Sequence, residues 1–312
     1  MTAFDYDLVI IGAGPAGLTA GLYAARARMN VLLLEKAVPG GQIIVTDWIE
    51  NYPGFPEGIS GFDLAEKMKN QAVDLGLEIR TAEVHDLNLS DEVKEVVLKD
   101  ETIKAKSLII GSGATPRKLG IGEDRFMGKG ISFCATCDGP FFRDKTVVAI
   151  GGGDTAVQEA IYLTKFAKKV YLVHRRDEFR ATKILQERAF ANDKIEIIWD
   201  SVATEVQASK DLMMGEKVNG VKIKNVKTQE EQILEADGCF IWVGILPNGD
   251  FIKDNVETDD YGFIKADAHM QTNVPGVFAA GDIRDTPLRQ VSTAVGDGAI
   301  AAVSAEHYIE SL

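Results

Sequence analysis

Short, continuous apolar runs alternate along the chain with segments of helical periodicity. This is the pattern of strands buried on both faces of a parallel sheet, joined by covering helices. Asp7-Leu8-Val9-Ile10-Ile11 predicts a first strand, residues 18–25 a helix, and Asn30-Val31-Leu32-Leu33-Leu34 a second strand. A glycine- and proline-rich loop region follows, then a predicted helix over 62–75 and strands at 78–80, 83–89, 94–98 and 107–110. Gly111-Ser112-Gly113-Ala114-Thr115-Pro116 breaks the pattern. It then restarts: Lys145-Thr146-Val147-Val148-Ala149-Ile150 predicts a strand, a helix runs to around Ala167, and Val170-Tyr171-Leu172-Val173 predicts the next strand. Residues 195–234 alternate polar and apolar around turn signals, as a small β-meander does. Phe240-Ile241-Trp242-Val243 returns to a core, Gly244-Ile245-Leu246-Pro247 marks a second crossing, and 292–308 predicts a helix of small residues.

Both first strands of these two series run into glycine turns. Gly12-Ala13-Gly14-Pro15-Ala16-Gly17 lies between strand and helix, and Glu35 closes the second strand. That is the dinucleotide fingerprint with its acidic residue about 20 positions on. Its first glycine permits the tight turn, its second lets a pyrophosphate approach the backbone, and its third lets helix pack on strand. Glu35 is placed to accept hydrogen bonds from an adenosine ribose. Gly151-Gly152-Gly153-Asp154-Thr155-Ala156 repeats the turn, but its second strand ends in His174-Arg175-Arg176, with Arg180 four residues later. Guanidinium groups suit a 2′-phosphate where a carboxylate suits a free hydroxyl, so this site should prefer NADPH to NADH. A solvated basic turn is the alternative. The expected fold class is α/β: two Rossmann-like dinucleotide-binding domains, each with a central parallel sheet plus a small β-meander. The second interrupts the first, with expected boundaries at 1–116, 117–244 and 245–312.

Composition narrows the chemistry. A chain of 312 residues, 46% hydrophobic and 26% charged, suits two soluble globular domains. A net charge of −13 argues against nucleic acid as a partner. The start has no basic region before its apolar run, and no run reaches the length of a membrane span, so a cytoplasmic protein with no membrane partner is expected. Three cysteines are too few for a secreted disulfide framework. Cys239, inside an apolar run, reads as a buried, inert thiol.

The other two form Cys134-Ala135-Thr136-Cys137, followed by Asp138. Two thiols at this spacing close a small, reducible ring and exchange electrons. The same spacing also begins zinc sites, but two further ligands at suitable spacing are lacking among the four histidines and Cys239. Lying between two nucleotide fingerprints, the pair reads as an electron relay.

With both fingerprints, the Cys134–Cys137 centre and Ala279-Ala280-Gly281-Asp282 in this order, essentially the whole chain closely resembles the low-molecular-weight bacterial thioredoxin reductases. These are class II of the pyridine nucleotide-disulfide oxidoreductases. The resemblance implies FAD on the first fingerprint, NADPH on the second, a homodimer, and thioredoxin as the protein disulfide reduced. Matched position by position, it implies FAD contacts at Gly12, Gly14, Gly17, Glu35, Gln42 and Asn51, with Val84 near adenine. It places Asp282 on the ribityl chain and Gln290 with Val291 at the flavin edge. The NADPH set would be Gly153, Asp154, Thr155, Ala156, His174, Arg175, Arg176 and Arg180. Cys137 would face the flavin, Cys134 would attack the partner disulfide, and Asp138 would handle the thiol protons, against a simple turn role.

Gly111-Ser112-Gly113 stands where many relatives have Ala-Thr-Gly, and Asp154-Thr155 varies the usual fingerprint interior. The resemblance also implies rotation of one domain about linkers near 115–118 and 244–247. Phe141 and Phe142 would form a thioredoxin-docking edge, with Lys129 as a basic contact, unless they are core. Related reductases of peroxiredoxins carry an extra N-terminal domain, for which a first strand at Asp7 leaves no room. Ferredoxin-fed relatives and dithiol oxidases depart at the NADPH signature, which is kept here.

Overall fold

The computed structural model describes residues 4–46, 48–90, 93–211, 215–252 and 255–312. Residues 1–3, part of the start read for a leader, and 212–214, within the alternating stretch, lie outside them. In chain order the first elements are β1 (Tyr6–Ile11), α1 (Pro15–Arg26), β2 (Val31–Glu35), α2 (Gly61–Val73), β3 (Glu78–Thr81), β4 (Asp86–Leu89), β5 (Lys94–Val97), β6 (Thr102–Ile110) and β7 (Ala114–Pro116). Then come β8 (Ile131–Ser132), α3 (Ala135–Asp138), β9 (Thr146–Gly151), α4 (Asp154–Leu163), β10 (Lys169–Val173), α5 (Lys183–Phe190) and β11 (Ile195–Ile198). The rest are β12 (Ser201–Asp211), β13 (Gly215–Asn225), β14 (Glu231–Glu235), β15 (Gly238–Trp242), β16 (Ile245–Pro247), β17 (Val277–Ala279) and α6 (Val291–Glu310). The chain forms two compact units, Met1–Thr115 with Leu246–Leu312, and Pro116–Ile245.

The first unit is built on a sheet ordered β3-β2-β1-β6-β5-β4, with β17 also beside β6. Strands β3, β2, β1, β6 and β17 run parallel, whereas β4, β5 and β6 pair antiparallel as a meander. Alternation of side chains explains why the central strands are apolar throughout. Leu8, Ile10, Leu33, Ile109 and Phe278 face one core with the alanines of α1 and α6. Val9, Ile11, Leu32, Leu34, Leu108 and Ile110 face a second core with Leu87, Val96, Ile252 and Ile264. Small residues let α1 and α6 approach closely: a Cβ on Gly298 would lie 2.2 Å from the Ala16 carbonyl oxygen.

The second unit has a fully parallel sheet, β11-β10-β9-β15-β8, and a separate antiparallel sheet, β12-β13-β14. Strands β7 and β16, the two crossings, pair as a two-stranded sheet of their own. On the first unit's side of them, Asn248 donates to the Ser112 carbonyl (3.0 Å) and accepts from the Thr115 hydroxyl (2.9 Å). On the second unit's side, the buried Glu123 carboxylate accepts the backbone N–H groups of Leu119, Gly120 and Ile121.

Several boundaries differ from the sequence reading. Residues 83–85 lie outside β4, β6 begins earlier than 107, and α4 ends at Leu163 rather than near 167. The break at 111–116 contains the strand β7, because its partner β16 is far away in sequence. The meander spans β12 to β14 only: Ile195–Ile198 joins the parallel sheet, in register with Val170–Val173. Helix α5 was not foreseen. Its polar composition leaves only Gln186 and Ala189 buried, too little for a visible apolar stripe. No helix among the described residues is long and apolar enough to cross a membrane.

Gly298→Ala should force α1 and α6 apart and cost about 1–3 kcal/mol, the range for overpacking a tight contact. Thermal unfolding followed by circular dichroism reads this as a lowered midpoint. An unchanged midpoint would contradict the close crossing of the two helices.

Candidate functional site

In the first unit the glycines of the turn after β1 have different reasons to be there. Gly12 has φ +98°, and a Cβ on it would lie 2.5 Å from the Gly111 carbonyl oxygen. A Cβ on Gly17 would lie 1.8 Å from the Gly12 carbonyl oxygen, so α1 packs on β1 only through glycine. Gly14 is unlike both. Its φ is −73°, and a Cβ there would meet nothing nearer than the Gly41 Cα, at 3.9 Å. Protein packing does not require glycine at this position, and its bare backbone faces open space at the N-terminus of α1, which has no side-chain cap.

Around this turn the predicted residues gather from distant parts of one unit. The Glu35 carboxylate accepts the Ala13 N–H (2.8 Å) and the Ala37 N–H (3.0 Å). Gln42 is exposed on the turn next to Gly41, which packs on Gly14. Val84 is half-buried in the link from β3 to β4, two residues beyond Ala82, whose N–H bonds the Glu35 carbonyl. The Asn51 amide donates to the Gln290 side-chain oxygen (3.0 Å), and Gln290 caps α6 in a capping box with Thr293. Val291 is the first residue of that helix.

Asp282 follows Gly281 at the end of the β17 connection, and its carboxylate has no hydrogen-bond partner among the described residues. Burial pushes its pKa up to about 6; the nearby Arg289 guanidinium opposes that shift and the Asp297 carboxylate adds to it. Asp297 is itself engaged: it binds Arg284 through two bonds of 2.6 and 3.0 Å and accepts the Gly281 N–H. This Arg284–Asp297 pair holds the turn carrying Asp282 against α6. Sequence reading missed it, because the partners lie thirteen residues apart, a spacing that carries no recognisable signal.

In the second unit the turn after β9 repeats the logic. Gly151 has φ +152°, and a Cβ there would lie 2.4 Å from the Trp242 carbonyl oxygen. A Cβ on Gly152 would strike the His174 ring at 2.2 Å. Gly153 caps α4 and is bare: a Cβ would meet only the end of Arg180, at 4.0 Å. Ala156 is buried beneath the turn, Thr155 is exposed, and the Asp154 carboxylate accepts the Thr182 N–H at 2.6 Å. His174 is only 5% exposed and packs among Phe179 and Trp199. Burial holds its pKa below the usual value; a backbone hydrogen bond at Glu178 opposes this, and the surrounding arginines reinforce it. Its Nε2 has no partner. Arg175, Arg176 and Arg180 are exposed and make no ion pair among the described residues. Guanidiniums without ion-pair partners among the described residues are the groups that can bind an anion.

The same unit carries the disulfide. Cys134 and Cys137 are bonded, with Cα atoms 5.3 Å apart. Cys134 caps the single turn α3, its sulfur accepting the Cys137 N–H at 3.1 Å, and Ser132 braces it through the Cys134 N–H (3.0 Å). Asp138 ends that turn, half-buried. The Trp242 indole donates to the Phe133 carbonyl at 3.0 Å. Phe141 is 43% exposed and Lys129 is exposed, while Phe142 is core, edge-on to Phe240. Cys239 is fully buried, and burial drives its thiol pKa far up, which leaves it inert at neutral pH.

The sequence pattern of the pyridine nucleotide-disulphide oxidoreductases matches residues 6–298. A thioredoxin reductase of Listeria monocytogenes is 46% identical over 308 residues, 98% of this chain and 95% of that one. This chain belongs to the thioredoxin reductases of that family. The thioredoxin reductase of Bacillus subtilis is 44% identical over 98% of this chain and 96% of its own. The crystal structure of the thioredoxin reductase from Streptococcus pyogenes superposes with a TM-score of 0.93 at 50% identity, covering 98% of this chain and 99% of that one. The thioredoxin reductase of Lactococcus lactis, solved in its FR conformation, gives 0.67 at 47% identity over 99% and 100%. As its name states, the family pairs pyridine nucleotides with disulphides.

The Asp282 carboxyl has a measurable signature in protein freed of nucleotide. Its folded pKa lies above the ordinary 3.8. Between pH 4 and 6 the folded state therefore holds a proton that the unfolded chain has released. Stability from this group should fall as pH rises through that window and stay level above it. Asp282→Asn should flatten that slope in a series of urea-unfolding midpoints; an unaltered slope would place the carboxyl in water.

Proposed function

We propose that this chain is an NADPH-dependent thioredoxin reductase that holds FAD on the Gly12–Gly17 turn and NADPH on the Gly151–Ala156 turn. The observation that carries the reading is the bonded Cys134–Cys137 pair, one turn of helix in the same unit as a glycine turn flanked by unpaired arginines. Residues present fit both nucleotides. The bare Gly14 and the half-buried Asp282, partnerless among the described residues, suit a pyrophosphate and a polyol hydroxyl, which would restore a hydrogen bond to that carboxylate. The bare Gly153 and the three free guanidiniums suit a pyrophosphate and a 2′-phosphate.

On this reading Glu35, Gln42, Asn51, Val84, Gln290 and Val291 complete the FAD site. Asp154, Thr155, Ala156 and His174 shape the NADPH turn, the histidine by packing beneath Gly152. Bound there, FAD and NADPH would supply the two electrons that open the Cys134–Cys137 disulfide. Cys134 then attacks the thioredoxin disulfide as thiolate, a mixed disulfide forms, and Cys137 resolves it, leaving reduced thioredoxin and the starting disulfide. Asp138 moves the thiol protons. Exposed Phe141 and Lys129 are the docking contacts, with Phe142 supporting them from the core.

The reading includes a cytoplasmic homodimer with no nucleic-acid or membrane partner. It also assigns 1–116 with 245–312 to FAD and 117–244 to NADPH, with rotation about the crossings β7 and β16.

Under anaerobic conditions NADPH should bleach the yellow protein, and added thioredoxin should gain two thiols per reductase turnover. Bleaching without thioredoxin thiols would redirect the search to another disulfide partner, and no bleaching would overturn the NADPH assignment. Cys137→Ser should keep NADPH bleaching and lose thioredoxin turnover. Replacing Arg175 and Arg176 by alanine should raise the KM for NADPH at least tenfold, about 1.4 kcal/mol, while leaving that for NADH almost unchanged.

A further inference from the structure

Gln186 is buried on α5, and its side-chain amide is committed to one short stretch of backbone. Its Nε2 donates to the Ala181 carbonyl at 2.7 Å and to the Phe179 carbonyl at 3.4 Å. Both partners are acceptors, so only the NH₂ end of the amide can face them. The residue between them is Arg180. Phe179 and Ala181 are each 5% exposed, whereas Arg180 is exposed, so backbone held on either side carries one guanidinium into solvent. Two further bonds tie the stretch to the glycine turn. The Arg180 N–H donates to the Gly152 carbonyl at 2.8 Å, and the Thr182 N–H donates to the Asp154 carboxylate at 2.6 Å. One guanidinium nitrogen then lies 4.0 Å from where a Cβ on Gly153 would be.

We propose that Gln186 is a positioning residue for the nucleotide phosphates: by clamping the backbone on both sides of Arg180, it holds that guanidinium beside the Gly153 turn before a nucleotide arrives. An arginine on a loose loop loses backbone as well as side-chain freedom when it meets an anion. On a fixed backbone it loses only the second, and the same contact binds more tightly. Arg175 and Arg176 are held differently. They lie in an exposed run, 175–178, secured at its rim where the Arg176 carbonyl accepts the Asp200 N–H and Asp177 pairs with exposed Lys227 at 2.9 Å. Arg180 is the member of the set whose backbone is gripped by a buried side chain.

Support of α5 itself would need other bonds. That helix begins at Lys183, and its first turn has no side-chain cap. The groups a helix start leaves unsatisfied are N–H donors, which an amide NH₂ cannot serve. The carbonyls Gln186 takes belong to residues ahead of the helix, in the strap that bears Arg180.

The inference rests on the proposed NADPH site, and its test reads binding rather than turnover. Adenosine 2′,5′-bisphosphate is titrated calorimetrically into holoenzyme carrying Gln186→Met, Arg180→Ala or both. Methionine keeps the length of the side chain and removes its donors. Gln186→Met should weaken binding about fivefold, and Arg180→Ala about tenfold or more. The double variant should bind no more weakly than Arg180→Ala, because Gln186 acts through that guanidinium. Unchanged affinity in Gln186→Met, or losses that multiply in the double variant, would overturn the proposal and leave the amide a brace for two buried carbonyls. Ala181→Gly loosens the same backbone with the amide in place, and gives the comparison if the methionine variant does not fold. It should cost about threefold in affinity, a loss that Arg180→Ala abolishes; no loss would overturn the proposal equally. Wild-type holoenzyme that fails to bind the bisphosphate would instead overturn the NADPH assignment itself, and this inference with it.

Discussion

Both halves of this protein depend on one kind of contact: backbone laid directly on backbone where a strand turns into a helix. At Gly12 and Gly17 the separation leaves no room for a single carbon, and Gly151 repeats the contact under the Trp242 carbonyl. These contacts draw the first turn of α1 and of α4 down onto the carboxyl ends of their sheets. A helix start fixed in that way presents its unsatisfied N–H groups at one place and in one direction. Everything chemical in each unit is then arranged around that place: Glu35, Asn51 and Asp282 around one, the arginine cluster around the other. The glycines between, Gly14 and Gly153, have no such packing duty, and that difference separates the scaffold from the surface it offers.

How much of this was legible in the sequence depended on whether the signal was local. The fingerprints were, because strand, turn, helix and terminal residue lie within a short span and each has its own physical reason. The C-x-x-C was, because ring closure spans only three peptide bonds of backbone. Residues that matter through distant pairing were not. Asn248 ties Ser112 to Thr115 across more than a hundred residues, and Arg284 finds Asp297 across a turn and half a helix. Neither partner carries a pattern that points to the other. Strand Ile195–Ile198 was read with the meander because its own alternation is ambiguous; only the register with Val170–Val173 decides its sheet. Phe141 and Phe142 show the limit most simply, since two identical neighbours take opposite fates, surface and core.

The second unit also carries functional electrostatics of both signs. Guanidiniums gather at the end of β10 without carboxylate partners among the described residues, while the redox turn ends in a carboxylate, Asp138. Clustered like charges cost stability in the free protein. Such an arrangement persists where a bound anion or a charge developing in a reaction is what the cluster meets. The neutral, buried His174 beside the arginines fits the same account: a charged imidazole there would add to their charge, and its environment keeps the proton off.

The paired crossings have an evolutionary consequence. Because β7 and β16 lie side by side, the chain leaves the first unit and re-enters it at neighbouring points. An inserted piece whose two ends meet is a plug for a socket: it can be lost, replaced or acquired without reopening the host sheet, whose strands β1, β6 and β17 close on one another regardless. On the proposed reading, specificity for the electron donor and for the disulfide partner travels together in that plug, while the host stays the same. A lineage can therefore trade both preferences in a single recombination event, with the two-strand junction as its natural seam.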